Sequence, residues 1–215
     1  MPNRNSSSTL LRPANVALAL WVALLTVVSG IRPVDHATWF FELFLGFGGI
    51  ALLLLASRCM ALSAFVYWVA GAHYLVLALG AHYTYAEMPL FDWLRDAFGL
   101  SRNHFDRVGH FFQGLTPAIL VRELLPRTSS IGRGFWTPAC AVCAALAFSA
   151  LYEILEWLWV VVFYPESGPE WLGMQGDPWD AQADMAMALL GALCAVVLLR
   201  GVHDRSIRRV TASLR

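Results

Sequence analysis

Apolar residues in this chain come in long unbroken runs. Trp39–Ser57 carries one ionisable side chain, Glu42; Ala61–Gly80 carries one, His73; Asp184–Leu199 carries only Asp184 itself. A helix rises about 1.5 Å per residue, so runs of about twenty apolar residues are long enough to cross a bilayer. The pattern predicts six spans, at about Asn15–Ile31, Trp39–Ser57, Ala61–Gly80, Gly109–Leu125, Trp136–Phe163 and Trp179–Leu199. The fourth is the least hydrophobic, and Pro117 predicts a kink in it. The fifth is long enough to project past the hydrocarbon. Between spans, Leu90, Phe91, Leu94 and Phe98 follow helical spacing, with Asp92, Arg95 and Asp96 opposite them. That pattern predicts a short helix lying in the interface. In the loop Gly168–Asp184, Trp171 and Trp179 suit the headgroup level, Asp177 before Pro178 suits a helix N-cap, and Asp180 suits the first turn.

Composition agrees with the pattern. Of 215 residues, 58% are hydrophobic and only 14% charged, with a mean hydropathy of +0.58. The fold class is all-α integral membrane, a bundle of about six transmembrane helices. Net charge is zero, so nothing points to nucleic acid, and membrane lipids are the expected surroundings. All fifteen basic residues are arginine, and they orient the bundle. Arg4, Arg12, Arg58, Arg122, Arg127, Arg133, Arg200, Arg205, Arg208, Arg209 and Arg215 fall on one side if both termini are cytoplasmic; Arg32, Arg95, Arg102 and Arg107 fall on the other. That asymmetry fits the positive-inside rule. Residues 1–14 are expected to be a disordered tail, 15–200 the membrane domain, and 201–215 a basic cytoplasmic tail, helical but frayed, near anionic lipid. A cleaved signal peptide ending near Ser29–Gly30 is the rival reading of span one, but its apolar stretch is long for that and no clean cleavage site follows. Cys59, Cys140, Cys143 and Cys194 read as small buried thiols rather than a redox pair. Tyr83, Tyr85 and Tyr152 read as interface anchors. No G-x-S-x-G, Walker loop or H-E-x-x-H occurs.

Depth singles out candidate chemistry. Measured from the cytoplasmic end of its own span, Glu42 lies roughly 24 Å up, His73 roughly 22 Å, His110 roughly 24 Å, Glu153 roughly 26 Å and Asp184 roughly 24 Å. Five groups on five helices thus share one layer. Glu156 is one turn from Glu153, while Asp106 and Gln113 flank His110 at spacings that share a face. Intramembrane charge is costly and needs partners or water. Imidazole and carboxylates without a nearby thiol form a ligand set suited to Zn, Fe or Mn. Asp106, His110, Glu153 and Asp184 are the candidate metal ligands, with Glu153 and Glu156 as candidate bases. Glu42, His73, His82, His104, Gln113, Asp177 and Asp180 are candidate supporting or substrate contacts. The plainer reading of each residue taken singly is an interhelical hydrogen bond, with Arg102 and Arg107 neutralising surface aspartates.

Four ordered motifs, HYTYAEMPLFDW, RNHFDRVGHFFQG, YEILEW and QGDPWDAQADM, resemble the YjdF-type family of bacterial inner-membrane proteins over roughly His73 to Leu199. The resemblance implies a multi-span helical protein of the bacterial inner membrane and supplies no catalytic residues. Three functions are compatible with the cluster. One is a metal-dependent hydrolase acting on a lipid-like or small-molecule substrate from the outer face. Another is a transporter or proton relay. The third is a structural or partner-binding protein. Inverted repeats, common in transporters, would put Glu42 and Glu153 in opposite leaflets, whereas both fall in the outer half.

The arginine asymmetry predicts that Asp96→Cys and Glu170→Cys, each in a background lacking the native thiols, are labelled from outside by an impermeant thiol reagent. Labelling of both only from the cytoplasm would invert the topology.

Overall fold

The computed structural model describes residues 12–132, 134–163 and 174–212. Arg4, Arg133, Arg215, Trp171 and the Asn5–Thr9 stretch lie outside the described residues. Among the described residues every regular element is helical: α1 Pro13–Ser29, α2 His36–Cys59, α3 Ala64–Tyr83, α4 Pro89–Phe98, α5 Phe105–Thr128, α6 Trp136–Phe163, α7 Asp180–Leu193 and α8 Arg200–Ala212. Among the described residues, four helical stretches are long and apolar enough to cross a membrane: α2, α3, α6 and Asp180–Leu198. The last passes from α7 into a π-helical segment, Cys194–Leu198, closed by Leu199 N–H on the Cys194 carbonyl at 3.0 Å. α1 is apolar but shorter. α5, which holds the fourth expected span, begins at Phe105 and continues through both Pro117 and Pro126.

Local chemistry sets several ends. Asp35 caps α2 by accepting the Thr38 N–H at 2.7 Å. α4 has Pro89 at its start, Asp92 in its first turn, Arg95 in its last, and Gly99 in the left-handed conformation beyond it (φ +62°). It buries no residue. α7 starts later than the sequence suggests. Asp177 accepts the Trp179 N–H at 3.0 Å, an Asx turn, and the helix begins at Asp180.

The chain forms two compact units, Met1–Thr84 with Gly201–Arg215, and Tyr85–Arg200. In the first unit, α3 packs on both α1 and α2. Neutral polar contacts tie its helices. Asn15 donates to Ser57 Oγ at 3.0 Å and accepts from the Tyr67 hydroxyl at 2.6 Å. The Trp21 indole donates to the Gly71 carbonyl at 3.0 Å, and Thr26 meets Tyr74 at 2.8 Å.

In the second unit α5 packs on α6 and α7. Many of the buried positions are small: Ala118 on α5, Ala141 and Ala145 on α6, Ala188 and Ala192 on α7. Large apolar residues such as Leu151, Val162 and Leu190 face outward. This is the membrane pattern, in which close backbone packing replaces a core of large side chains. Gly114 and Gly191 carry it furthest. A Cβ on Gly114 would collide with the Ala188 backbone, and one on Gly191 with the Phe111 carbonyl. Tyr85 is not an interface anchor. Its buried ring lies against Gly109 and stacks on Phe105, with centroids 5.6 Å apart. The cysteines are not buried thiols either. Cys59 and Cys143 are exposed on helix surfaces, because the interior places go to alanine, glycine and serine.

Gly114→Ala is expected to destabilise the protein by about 1–3 kcal/mol of overpacking, read as a lower thermal unfolding midpoint in detergent. Gly48→Ala on α2, where an added methyl meets nothing within 4 Å, should leave the midpoint unchanged or slightly raised. Equal midpoints for the two variants would mean that α5 and α7 do not pack this closely.

Candidate functional site

The N-terminal turns of α5 and α7, together with α6, bring Asp106, Arg107, His110, Glu153, Asp180 and Asp184 into one cluster. Its frame is a lattice of two arginines and four aspartates. Arg102, on the approach to α5, donates to Asp180 Oδ1 at 2.6 Å and Asp177 Oδ2 at 3.2 Å. Arg107 donates to the same Asp180 Oδ1 at 2.7 Å, to Asp177 Oδ2 at 3.1 Å and to Asp184 Oδ1. Both guanidiniums stand 3.8 Å from Asp106 Oδ2. Side-chain exposure is 6% for Arg102 and 12% for Arg107. These arginines therefore do not neutralise surface aspartates, as a plain reading of the sequence has it. They are buried partners, and removing one would leave an uncompensated charge that water screens poorly.

The loops around the lattice are pinned by neutral hydrogen bonds. Asn103 is fully buried. Its side chain donates to the Met88 carbonyl and to Asp92 Oδ1, each at 3.0 Å, and accepts the Phe105 N–H at 3.1 Å. Gln175 is bonded twice to the Asn103 backbone, accepting its N–H at 2.8 Å and donating to its carbonyl at 3.0 Å. Outside the helices, burial and then Arg102 and Arg107 hold the His104 imidazole below its usual range. Asp177 is held below the usual carboxylate range, first by the Trp179 amide and then by the two arginines.

His110 sits beneath the lattice, one turn into α5. Its Nδ1 lies 2.9 Å from Gln113 Oε1, its Nε2 3.4 Å from Asp106 Oδ1 and 3.7 Å from Asp184 Oδ1. A carbonyl oxygen only accepts, so Nδ1 carries the proton in that bond. Nε2 then faces two carboxylates, and that arrangement is favourable only with a cation at Nε2, either a second proton or a metal ion. One ligand atom each from Asp106, His110 and Asp184 lies within 4.8 Å of the others, and all three residues are buried. Glu153 approaches from α6, its Oε1 3.6 Å from His110 Nδ1. That oxygen is buried and makes no hydrogen bond. The Tyr152 ring, half-buried, stands edge-on to His110 with centroids 5.8 Å apart.

Of the residues singled out from sequence, Asp106, His110, Gln113, Glu153, Asp177, Asp180 and Asp184 meet in this cluster. Glu156 lies one turn further along α6, half-buried. His104 is the residue immediately before α5. Glu42, His73 and His82 belong to the other unit, where His82 Nδ1 is 2.9 Å from the Ser29 carbonyl. Helix-end chemistry alone does not account for Asp177 and Asp180, since both carry arginines as well. Asp180 and Asp184, four residues apart, share a face of α7, and Asp177 joins them from the turn before the helix. Glu123 was missed from the intramembrane residues. It is 1% exposed and pairs with Arg127 at 3.2 Å, about 20 Å along α5 from His110.

Apolar helices with lipid-facing bulk and a buried charged cluster define a multi-pass helical membrane protein. The chain belongs to the family described as "Predicted membrane protein (DUF2238)", which matches residues 14–205. It is also similar to the inner membrane protein YjdF of Escherichia coli (strain K12), at 39% identity over 191 residues, 89% of this chain and 91% of that protein. No solved structure matches.

The lattice predicts unequal costs for its arginines and for exposed ones. Arg107→Gln strands buried carboxylates and should destabilise the protein by about 3 kcal/mol, and adding Asp180→Asn should restore part of the loss. Arg95→Gln, which breaks only exposed contacts to Asp92 and Asp96, should change little. Chemical or thermal unfolding of the variants in detergent measures this; equal midpoints for Arg107→Gln and Arg95→Gln would contradict it.

Proposed function

We propose that Asp106, His110 and Asp184 hold a divalent cation, Zn, Fe or Mn, and that the protein is a metal-dependent hydrolase of a lipid-like or small amphiphilic substrate. The observation that carries this reading is the orientation of His110. Gln113 Oε1 accepts a hydrogen bond from its Nδ1–H, and Nε2 is turned toward carboxylates from two helices. That is how a metal-ligating histidine is oriented by its neighbour. Such an ion lowers the pKa of coordinated water. Glu153, whose buried Oε1 makes no hydrogen bond and lies 3.6 Å from His110 Nδ1, would serve as the base. Glu156 is the alternative base. The flanks of Glu153 on α6 are lipid-facing, since Leu151, Ile154 and Trp157 are exposed. An acyl chain can therefore lie along α6 while its polar end reaches the cluster. The same reading places six crossings, α1, α2, α3, α5, α6 and α7 with its π-helical end, in the bacterial inner membrane, with both termini cytoplasmic and the cluster toward the outer face.

One observation favours a second reading. Arg107 already occupies Asp184 Oδ1, so an ion there competes with a guanidinium. A proton on His110 Nε2 satisfies the carboxylates without that competition, and the group then serves as a proton relay or transporter site.

Protein purified without chelator is expected to carry stoichiometric metal by mass spectrometry. His110→Ala should lose it, while Glu153→Gln keeps the metal and loses hydrolysis. A transporter predicts no metal and a pH-dependent flux that Glu153→Gln alters. A purely structural cluster predicts only a stability loss of about 1–2 kcal/mol per interhelical hydrogen bond. The hydrolase reading is abandoned if the wild-type protein holds no metal and takes up none of the three.

A further inference from the structure

α8 meets the start of α3 at Phe65 through two contacts within the first unit. His203 is fully buried and its ring lies 5.5 Å from that of Phe65. Ile207 is buried one turn further on. Ser206 Oγ accepts the Phe65 N–H at 3.1 Å. Beside these contacts, residues of α3 (Ala64, Phe65, Trp68) and α8 (Val202, Arg205, Ser206, Arg209) line a cavity of about 360 Å³. That volume is in the range of ligand sites, far above a single-water void.

The cavity has one charged side and one apolar side. Arg205 and Arg209 are four residues apart and so share a face of α8. Both are exposed, and among the described residues neither guanidinium has a hydrogen-bond or ion-pair partner. No lining residue is acidic. Trp68 is 78% exposed and stands about 6 Å along α3 from its first residue. α3 is apolar enough to cross a membrane, so this indole sits at the headgroup depth that tryptophan favours. Val202 exposes its side chain at the same cavity.

We propose that this cavity binds the headgroup of an anionic phospholipid. Arg205 and Arg209 grip the phosphate, and Trp68 and Val202 lie against the glycerol and the first acyl methylenes. Guanidinium forks match phosphate oxygens in pairs, and the N-terminal end of α3 adds partial positive charge. A soluble phosphate would use only the charged side and leave the indole uncovered. The bound lipid would staple α8 to α3 at the membrane surface. None of this depends on a metal at the Asp106–His110–Asp184 cluster.

The test uses the full chain in neutral detergent, titrated with phosphatidylglycerol or phosphatidylcholine carrying brominated acyl chains. The Trp68 share of fluorescence quenching is obtained by subtracting Trp68→Phe protein. Preference for phosphatidylglycerol should be on the order of tenfold and should vanish in Arg205→Gln/Arg209→Gln. The unfolding midpoint in phosphatidylcholine shows whether that variant is folded. If it is not, Arg205→Lys/Arg209→Lys replaces it, keeping charge but losing the fork, and should show a clearly reduced preference. Equal quenching by the two lipids in the wild type overturns the proposal. So does an unchanged preference in whichever variant is folded. Displacement of phosphatidylglycerol by millimolar inorganic phosphate overturns the lipid assignment in favour of a free anion.

Discussion

Asp180 Oδ1 accepts from Arg102 and Arg107 at once, and the second unit depends on that junction. It joins positions 73 and 78 residues apart in the chain. An unpaired guanidinium or carboxylate in a poorly solvated place is strongly destabilising, whereas a paired and hydrogen-bonded one is tolerated. The first turn of α7 must therefore face the first turn of α5. With Asp177 and Asp184 on the same face, the junction becomes a lattice. That lattice fixes the rotation of both helices and aims Asp184 at His110.

The lattice also depends on how closely the helices approach. Gly114 lies against the Ala188 backbone and Gly191 against the Phe111 carbonyl. Larger side chains on this seam would hold α5 and α7 apart. Asp184 and His110 would then be too distant to share a cation of either kind. Small residues along the seam and charges at its end are thus one construction. The seam provides proximity, and the charges provide register.

The two units solve the same solvent problem differently. The first ties its helices with neutral groups, Asn15, Ser57, Tyr67, Thr26 and Tyr74, each inexpensive to place among apolar helices. The second gathers carboxylates, arginines and a histidine, whose insertion is far more costly. The concentration of ionisable groups on α5, α6 and α7 is the physical reason to look for chemistry there.

Much of this was legible in one dimension. Apolar run length dictates membrane-spanning helices whatever their neighbours, because the bilayer leaves the backbone few other ways to satisfy its hydrogen bonds. The interfacial helix at Pro89–Phe98 and the shared face of Asp106, His110 and Gln113 follow from helical spacing alone. Helix ends were less legible. Asp177 and Pro178 read as an N-cap pair, yet α7 begins at Asp180, because Asp177 turns back onto the Trp179 amide and onto the arginines. Depth along each span grouped Glu42 and His73 with His110, but depth is one coordinate only. Which helices adjoin, and which faces they present, is decided by packing. Tertiary structure alone therefore put Glu42, His73 and His82 in one unit and the lattice in the other. It also buried Arg102 and Arg107 and placed Glu153 beside His110. A single sequence records which residues share a helix face; it does not record which two faces meet, since that depends on the fit of the Gly114–Ala188 seam and the pairing of distant charges.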